Sequence, residues 1–130
     1  MKHYRNPASI HPPLAQYTHQ IEVSAGERIL FLSGQVGLNV DGHAPNDAGE
    51  QLALALDNLI ANLHAAGMDV PDLTKLTLYL VPDSLDAASR RAILSAKLGG
   101  HAPCMTLVYV VALAAPQLLV ELDAFAASSA

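Results

Sequence analysis

The sequence has 130 residues, 52% hydrophobic and 15% charged, so we expect residues 1–130 to form one folded domain rather than a disordered chain. The formal net charge is −5 and no run of Lys or Arg occurs, which argues against a nucleic-acid partner. The single cysteine, Cys104, excludes an intrachain disulfide, and no apolar stretch is long enough to span a membrane, so we expect a cytoplasmic protein without a membrane partner.

Two short strands are predicted near the start of the chain. Residues 17–23 alternate between the two sides of a strand, with Tyr17 and His19 on the same side. Residues 28–35 form a short, apolar segment, which predicts a second strand, paired with the first. Residues 36–46 contain Gly and Pro, which are typical of a loop.

The first helix has the clearest local pattern. Asp47 precedes Glu50 by three residues, which is the spacing of a capping box, and Gly67 supplies a stop. Four leucines recur at helical spacing on one face: Leu52, Leu56, Leu59 and Leu63. The pattern predicts an amphipathic helix that buries this leucine face.

The second half of the chain predicts three strands and one helix. In order, these are a strand at 73–81, a helix at about 85–98, a strand at 104–113 and a last strand at 117–126. The strand at 104–113 is apolar on both faces and is therefore expected at the centre of the sheet. The helix is expected to bury a stripe made of Leu85, Ala88, Ala92 and Ala96. The order ββ-α-β-α-ββ predicts an α+β fold, a mixed sheet with two helices on one face.

Glu121, in the apolar segment LLVELDAF, is the candidate acid. A carboxylate in such a strand either faces a cleft, where it can act as general acid or base, or forms an ion pair at the sheet edge. Ser33 and Gly34 end an earlier strand. The serine is either a nucleophile or a hydrogen-bond donor and the glycine lets a ligand approach the backbone, or the pair forms a structural bulge.

No metal site is expected from the spacing of possible ligands. The six histidines show no H-x-x-x-H or H-E-x-x-H pairing. Cys104 has no adjacent base or electropositive segment to activate it, so we expect a small buried side chain. Arg90 and Arg91 are expected in solvent, off the buried stripe of the second helix.

Several short blocks together resemble the Rid (reactive intermediate deaminase) family, also called the YjgF or L-PSP endoribonuclease-like family. They span residues 6–126 in the family's order and nearly its spacing. The blocks are Tyr17-Thr18, Leu32-Ser33-Gly34-Gln35, Asp41-Gly42, Gln51, Leu56–Leu59, Ala65-Ala66-Gly67, Lys75, Thr77–Leu80, Pro103 and Leu119–Leu122.

The resemblance implies a chorismate-mutase-like (YjgF-like) fold and a homotrimer, in which the sheets form an inner barrel. It also implies small-molecule clefts between subunits, which in the best-known branch hydrolyse enamines and imines without metal or cofactor. The family's cleft pattern carries over to Tyr17 as an aromatic wall and to Ser33-Gly34 as a backbone contact. It carries over to Glu121 as the carboxylate that positions or activates water. The high apolar content agrees with a surface covered by partner subunits.

One position departs from the deaminating branch, which has an arginine in a P-A-R-[ST] motif. Here the stretch reads Pro103-Cys104-Met105-Thr106, so Met105 stands in the place of the arginine that would grip a substrate carboxylate. An ungapped comparison puts Arg90 where that branch has an Asn near the cleft, which makes Arg90 a candidate surrogate cation. Helical periodicity nevertheless predicts that Arg90 lies away from the buried stripe.

The resemblance to the family, together with Met105 in place of the arginine, leaves three alternative functions. The first is a small-molecule-binding protein without standard 2-imino-acid deaminase activity. The second is a hydrolase that acts on a different or less anionic imine through Glu121 and water. The third is a non-enzymatic scaffold or regulatory binding protein. One of the family's names indicates a ribonuclease, but that function fits poorly with an acidic chain that has no basic patch to bind RNA.

Overall fold

The computed structural model describes residues 1–129. Its helices and strands are β1 (Lys2–Arg5), β2 (Gln20–Val23), β3 (Arg28–Val36), α1 (Ala48–Ala65), β4 (Leu73–Leu80), α2 (Ala87–Leu98), β5 (Cys104–Tyr109) and β6 (Val120–Ser128). β1 and β2 form a separate antiparallel ribbon, and the main sheet has the order β3-β6-β4-β5. Only the β4–β5 pair of the main sheet is parallel, and α2 connects these two strands. The expected α+β fold with a mixed sheet is confirmed.

α1 begins and ends where the sequence predicts. The Asp47 side chain accepts a hydrogen bond from the Glu50 backbone N–H at 2.9 Å. After the helix, Gly67 takes a φ of 70°, a conformation that residues with a Cβ rarely adopt. The four predicted leucines are fully buried against the sheet. The leucine face of α1 is therefore the centre of the core.

Gln51, on α1, is a fully buried polar residue that fixes two loops. Its Nε2 donates to the carbonyls of Pro45 and Gln117, each at 2.8 Å. Its Oε1 accepts from the Leu119 backbone N–H, also at 2.8 Å. Because Leu119 immediately precedes β6, this network sets where the strand that carries Glu121 begins.

The predicted buried stripe of α2 is wrong. The helix begins at Ala87 with Asp86 as its N-cap, and the three alanines of the expected stripe are exposed. The inward face instead consists of Arg90, Ile93, Leu94, Lys97 and Leu98. The large apolar side chains decide the phase because they bury more surface than alanine does. As a result, Arg90 lies on the inward side of α2, and its expected place in solvent is also wrong.

Three strand predictions are corrected. β2 pairs with β1 rather than with β3, and β3 pairs with β6. β1 reads KHYR and has no apolar alternation, so the sequence pattern did not indicate it. β5 ends at Tyr109 and lies at the edge of the sheet, not at its centre. One face of β5 packs under the helices through Met105 and Leu107, and the other face belongs to a sheet surface that no helix within residues 1–129 covers.

That uncovered sheet surface combines polar and apolar side chains. Along β6, Val120, Leu122 and Ala124 are buried beneath the helices, and the alternate residues face the other way. Phe31 and Phe125 pack edge to face there, with ring centroids 5.1 Å apart. Phe31 is nevertheless 71% exposed in one protomer. Within residues 1–129, no helix is both long and apolar enough to cross a membrane.

Candidate functional site

Tyr17, Arg90 and Met105 lie together in a groove of about 630 Å³. The groove runs between α2, β5 and the loop before β2. Apart from these three residues, it is lined by Leu14, Ala15, Gln16, Arg91, Leu94, Ser95, Leu98 and Leu107. We call this the Arg90 groove. Its volume is within the range of small-molecule sites.

The loop that carries Tyr17 is held by polar contacts on both sides. The Tyr17 hydroxyl accepts from the Leu14 backbone N–H at 3.1 Å, and the Tyr17 ring packs against His19 with a centroid distance of 5.4 Å. The Gln16 Nε2 donates to the carbonyls of Gly99 and His101, each at 2.8 Å. These contacts fasten the loop to the end of α2, so Tyr17 forms a fixed wall although it lies outside β2.

Met105 and Arg90 line the groove from two different elements: Met105 lies on β5 and Arg90 on α2. Met105 is half-buried on the helix-facing side of β5 and packs against the core. Arg90 is also half-buried, and its Nη1 lies 3.5 Å from the Tyr109 hydroxyl. In the part of the chain that the structure describes, neither Arg90 nor Arg91 takes part in an ion pair. The lining of the groove therefore includes two arginines, while Met105 contributes no charge.

Ser33, Gly34 and Glu121 form a second cluster on the β3–β6 pair. The pairing register shifts between Leu32 and Gln35, so the bulge that was one of the alternatives for this segment is present. Glu121 is half-buried, and its carboxylate lies directly over Gly34, where a Cβ atom would come within 2.8 Å of the Glu121 Cδ. Gly34 thus leaves the space that the carboxylate occupies.

Further polar groups surround Glu121 on the uncovered side of the sheet. Tyr79 of β4 is paired with Glu121 in register, and the Tyr79 hydroxyl donates to Asp123 Oδ2 at 3.0 Å. That hydrogen bond, together with burial and the two nearby carboxylates, raises the pKa of Tyr79. Glu121 forms no ion pair with any residue in the range 1–129. We call this cluster, with Ser33 and Gly34, the Glu121 face.

The Arg90 groove and the Glu121 face lie on opposite sides of the same sheet. Glu121 is on β6, and Met105 is on β5, which is two strands away in the order β3-β6-β4-β5. Neighbouring strands are about 4.8 Å apart, so the two residues are separated by about 10 Å sideways as well as by the sheet itself. A single protomer therefore does not bring the six candidate residues into one site.

No metal centre is formed by the described residues: within 1–129, no three His, Cys, Asp or Glu side chains come together. Cys104 is half-buried at the start of β5. Burial raises the pKa of its thiol, and the nearby Lys75 only partly opposes this effect. Cys104 is accordingly a weak candidate for a nucleophile.

Sequence reasoning missed part of the groove. Leu94 and Leu98 follow Arg90 at i+4 and i+8, so testing a second helical phase would have placed all three on one face. No sequence pattern indicated the hydrogen bonds of Gln16 across more than 80 residues of chain.

The sequence profile of the endoribonuclease L-PSP family matches residues 8–128, and the chain belongs to this family. Among curated relatives, the RutC family protein YjgH of Escherichia coli K12 is 38% identical over 73 residues. That match covers 56% of this chain and 55% of YjgH, so the chain aligns with about half of its relative.

Solved structures share the fold along nearly the whole chain. YyfB from Yersinia pestis, a Rid family protein of unknown function, has a TM-score of 0.82 at 29% identity, covering 96% of this chain and 97% of YyfB. Escherichia coli TdcF with bound serine has a TM-score of 0.71 at 30% identity, covering 96% of this chain and 94% of TdcF. The resemblance to Rid and YjgF proteins is thereby confirmed.

Proposed function

We propose that three copies of this chain form a barrel-like homotrimer with a small-molecule cleft at each subunit interface. In this assembly the Arg90 groove of one protomer meets the Glu121 face of the next. The observation that carries the proposal is the placement of the two clusters on opposite sides of one sheet. Neither cluster alone contains all the residues of the family's cleft pattern: Tyr17 lies in the Arg90 groove, and Ser33, Gly34 and Glu121 lie on the Glu121 face. The serine bound to TdcF supports a small-molecule ligand.

The exposed aromatic surface supports the trimer. Phe31 and Phe125 lie on the same uncovered side of the sheet as Glu121 and are 71% and 45% exposed. Burying such side chains against a second protomer stabilises an assembly by about 25 cal/mol for each Å² of apolar surface removed from water. The same contact would bring a neighbouring protomer next to Glu121.

The clefts are proposed to lack standard 2-imino-acid deaminase activity. A substrate carboxylate next to Met105 meets a thioether, which donates no hydrogen bond and carries no charge. The missing charge-assisted contact is worth about 1.5–3 kcal/mol, or about 10- to 150-fold in affinity. The protein is proposed to work in the cytoplasm without cofactor, nucleic acid or membrane.

A second candidate function is hydrolysis of a different imine. It is favoured by the Glu121 carboxylate, which is half-buried over Gly34 and has no ion-pair partner within residues 1–129. Such a group can take a proton from the water molecule that attacks the imine carbon and pass it to the nitrogen, which gives a carbinolamine. It can then move the proton of the carbinolamine hydroxyl to the nitrogen, so that the C–N bond breaks, a carbonyl forms and ammonia departs. A purely scaffolding role has no observation in its favour beyond the loss of the arginine.

Two measurements test the proposal. Light scattering at micromolar concentration should give three times the protomer mass, and Phe31→Glu should dissociate the assembly by placing charges in the interface. Val40→Glu is the matched control, because Val40 is fully exposed in a loop and its change should leave the trimer intact. A monomeric wild-type protein, or dissociation by both variants alike, would contradict the assembly.

The activity is tested separately. The imine of a simple amino acid, generated in solution by an amino-acid oxidase, should be hydrolysed at little more than the uncatalysed rate. A rate equal to that of an arginine-bearing relative would contradict the proposed loss of function.

A further inference from the structure

We propose that His11 and His19 together bind one divalent transition-metal ion of the class that imidazole prefers, such as Zn²⁺. Both histidines lie in the loop before β2, residues 6–19. Neither lines the Arg90 groove or belongs to the Glu121 face, so the site goes beyond the proposed function. The spacing of the two rings, the hydrogen bonds of their nitrogens and the surroundings of the pair each support it.

The two imidazole rings have the separation that a shared ion requires. Their centroids lie 4.9 Å apart, and their planes are inclined to each other by 72°. An ion at about 2.0–2.1 Å from a ring nitrogen lies about 3.2 Å from the centroid of that ring, so two imidazoles at a tetrahedral ion have centroids about 5 Å apart. The observed spacing therefore fits two ligands of a single ion.

Hydrogen bonds engage one nitrogen of each ring and leave the other open. His11 Nδ1 lies 2.8 Å from the carbonyl oxygen of Pro12, and His19 Nε2 lies 2.8 Å from the carbonyl oxygen of His11. A carbonyl oxygen only accepts, so these two nitrogens carry the hydrogen, and the lone pairs of the neutral rings lie on His11 Nε2 and His19 Nδ1. Metal-binding histidines typically donate their second N–H in this way, which fixes the tautomer and makes the ligand nitrogen more basic.

The pair is packed on one side and open to solvent on the other. His19 is half-buried, and its ring meets the Tyr17 ring edge to face with centroids 5.4 Å apart. His11 is exposed, so an ion can reach the pair without any opening of the fold. Within residues 1–129, neither imidazole takes part in an ion pair with a carboxylate. The two open nitrogens are therefore accessible to an ion.

Two protein ligands make this an open site. Within residues 1–129 no three His, Cys, Asp or Glu side chains come together, so water or an anion fills the remaining positions of a four-coordinate ion. The affinity is accordingly expected to lie below that of a structural zinc site with four protein ligands. Imidazole favours zinc, copper, nickel and iron ions over Mg²⁺ and Ca²⁺, which prefer oxygen ligands.

An ion at this position would fasten the loop before β2. The first half of the loop contains three prolines, which donate no backbone hydrogen bond. The bond from the His19 ring to the His11 carbonyl already joins the two halves, and a shared ion would add a second link. Since the Tyr17 ring packs against His19, this link would also order one wall of the Arg90 groove. The ion would act on the loop and take no part in a reaction.

The test is a calorimetric titration of the wild-type protein with zinc chloride, with magnesium chloride as the control for a non-specific divalent cation. We expect one Zn²⁺ site in each protomer that depends on the two histidines, and no comparable binding of Mg²⁺. Loss of a hydrogen-bond partner of a metal ligand typically costs about 10- to 100-fold in affinity, so His11→Ala and His19→Ala should each weaken Zn²⁺ binding at least about tenfold.

His64→Ala is the matched control, because His64 is also exposed and lies beside a carboxylate, with 3.1 Å between its Nε2 and Asp69 Oδ1. It should leave the affinity unchanged, and melting curves without metal establish that each variant is folded. Nitrogen-15 NMR of the histidine rings tests the wild-type protein without any substitution, and Zn²⁺ should shift His11 Nε2 and His19 Nδ1. Zinc binding no tighter than magnesium binding, an affinity that survives the loss of either imidazole or falls with His64, or shifts confined to other histidines would overturn the inference.

Discussion

Replacing Gly34 by alanine moves the Glu121 carboxylate without altering its chemistry. A Cβ atom at residue 34 would lie 2.8 Å from the Glu121 Cδ, which is too close for two carbon atoms. The obstacle is the end of a flexible side chain, so a change of rotamer relieves it. We expect the free energy of unfolding to change by less than about 1 kcal/mol, since alanine also restricts the unfolded chain.

Gly37→Ala is the matched control, only three residues away. Here a Cβ atom would lie 2.5 Å from the carbonyl oxygen and 2.6 Å from the Cα of Gln51, within the backbone of α1. A buried helix backbone has no alternative rotamer, and overpacking of this kind costs about 1–3 kcal/mol. At about 4 °C for each kcal/mol, the variant should melt about 4–12 °C below the wild type.

The assay is thermal unfolding followed by circular dichroism, at one protein concentration because the proposed trimer would melt in a concentration-dependent manner. Ligand titrations are run beside it with Gly34→Ala and with Glu121→Gln. We expect the first variant to keep the melting temperature and to lose ligand affinity to about the same extent as the second. If Gly34→Ala were as unstable as Gly37→Ala, the freedom of the Glu121 side chain to turn aside would be refuted.

Three further predictions concern other parts of the molecule. Met105→Arg should raise imine deamination at least about tenfold, because a guanidinium can pair with the substrate carboxylate; a stable, assembled variant without any gain would show that more than the arginine is missing. Gln51→Leu should lower the free energy of unfolding by about 3 kcal/mol or more, because two carbonyls and one N–H lose their buried partner; urea unfolding measures this loss, and a clearly smaller loss would contradict the role given to Gln51. Cys104 should be alkylated by iodoacetamide more slowly than free cysteine at neutral pH, since its raised pKa leaves less thiolate; an equal or faster rate would contradict the burial.

Features that depend on local sequence were the ones that pattern reasoning predicted well. The N-cap Asp47, the leucine face and the stop at Gly67 each act within one helix, and all three are confirmed. α2 was assigned the wrong phase because alanines fit either a buried or an exposed face. Its phase is set by Leu94 and Leu98, whose burial depends on the sheet beneath them.

Features that depend on distant segments were harder to predict. The position of β5 at an edge cannot be read from its own apolar residues, because an uncovered apolar face and a central strand give the same pattern. The Arg90 groove was hard to predict for the same reason, because it is formed by segments that are distant in the sequence. Tyr17, Arg90 and Met105 come from three separate segments, and only the fold and the resemblance relate them. For Arg90, the corrected phase of α2 makes a surface residue into part of a candidate site.

The division of the candidate residues between two sides of the sheet has an evolutionary consequence. Glu121 lies on β6, which pairs with strands on both sides, so a change of position there would disturb two registers and the core. The Arg90 groove is formed by a helix, an edge strand and a loop, where substitutions disturb fewer neighbours. Descendants of one ancestor can therefore exchange ligands by altering the peripheral wall while inheriting the same carboxylate.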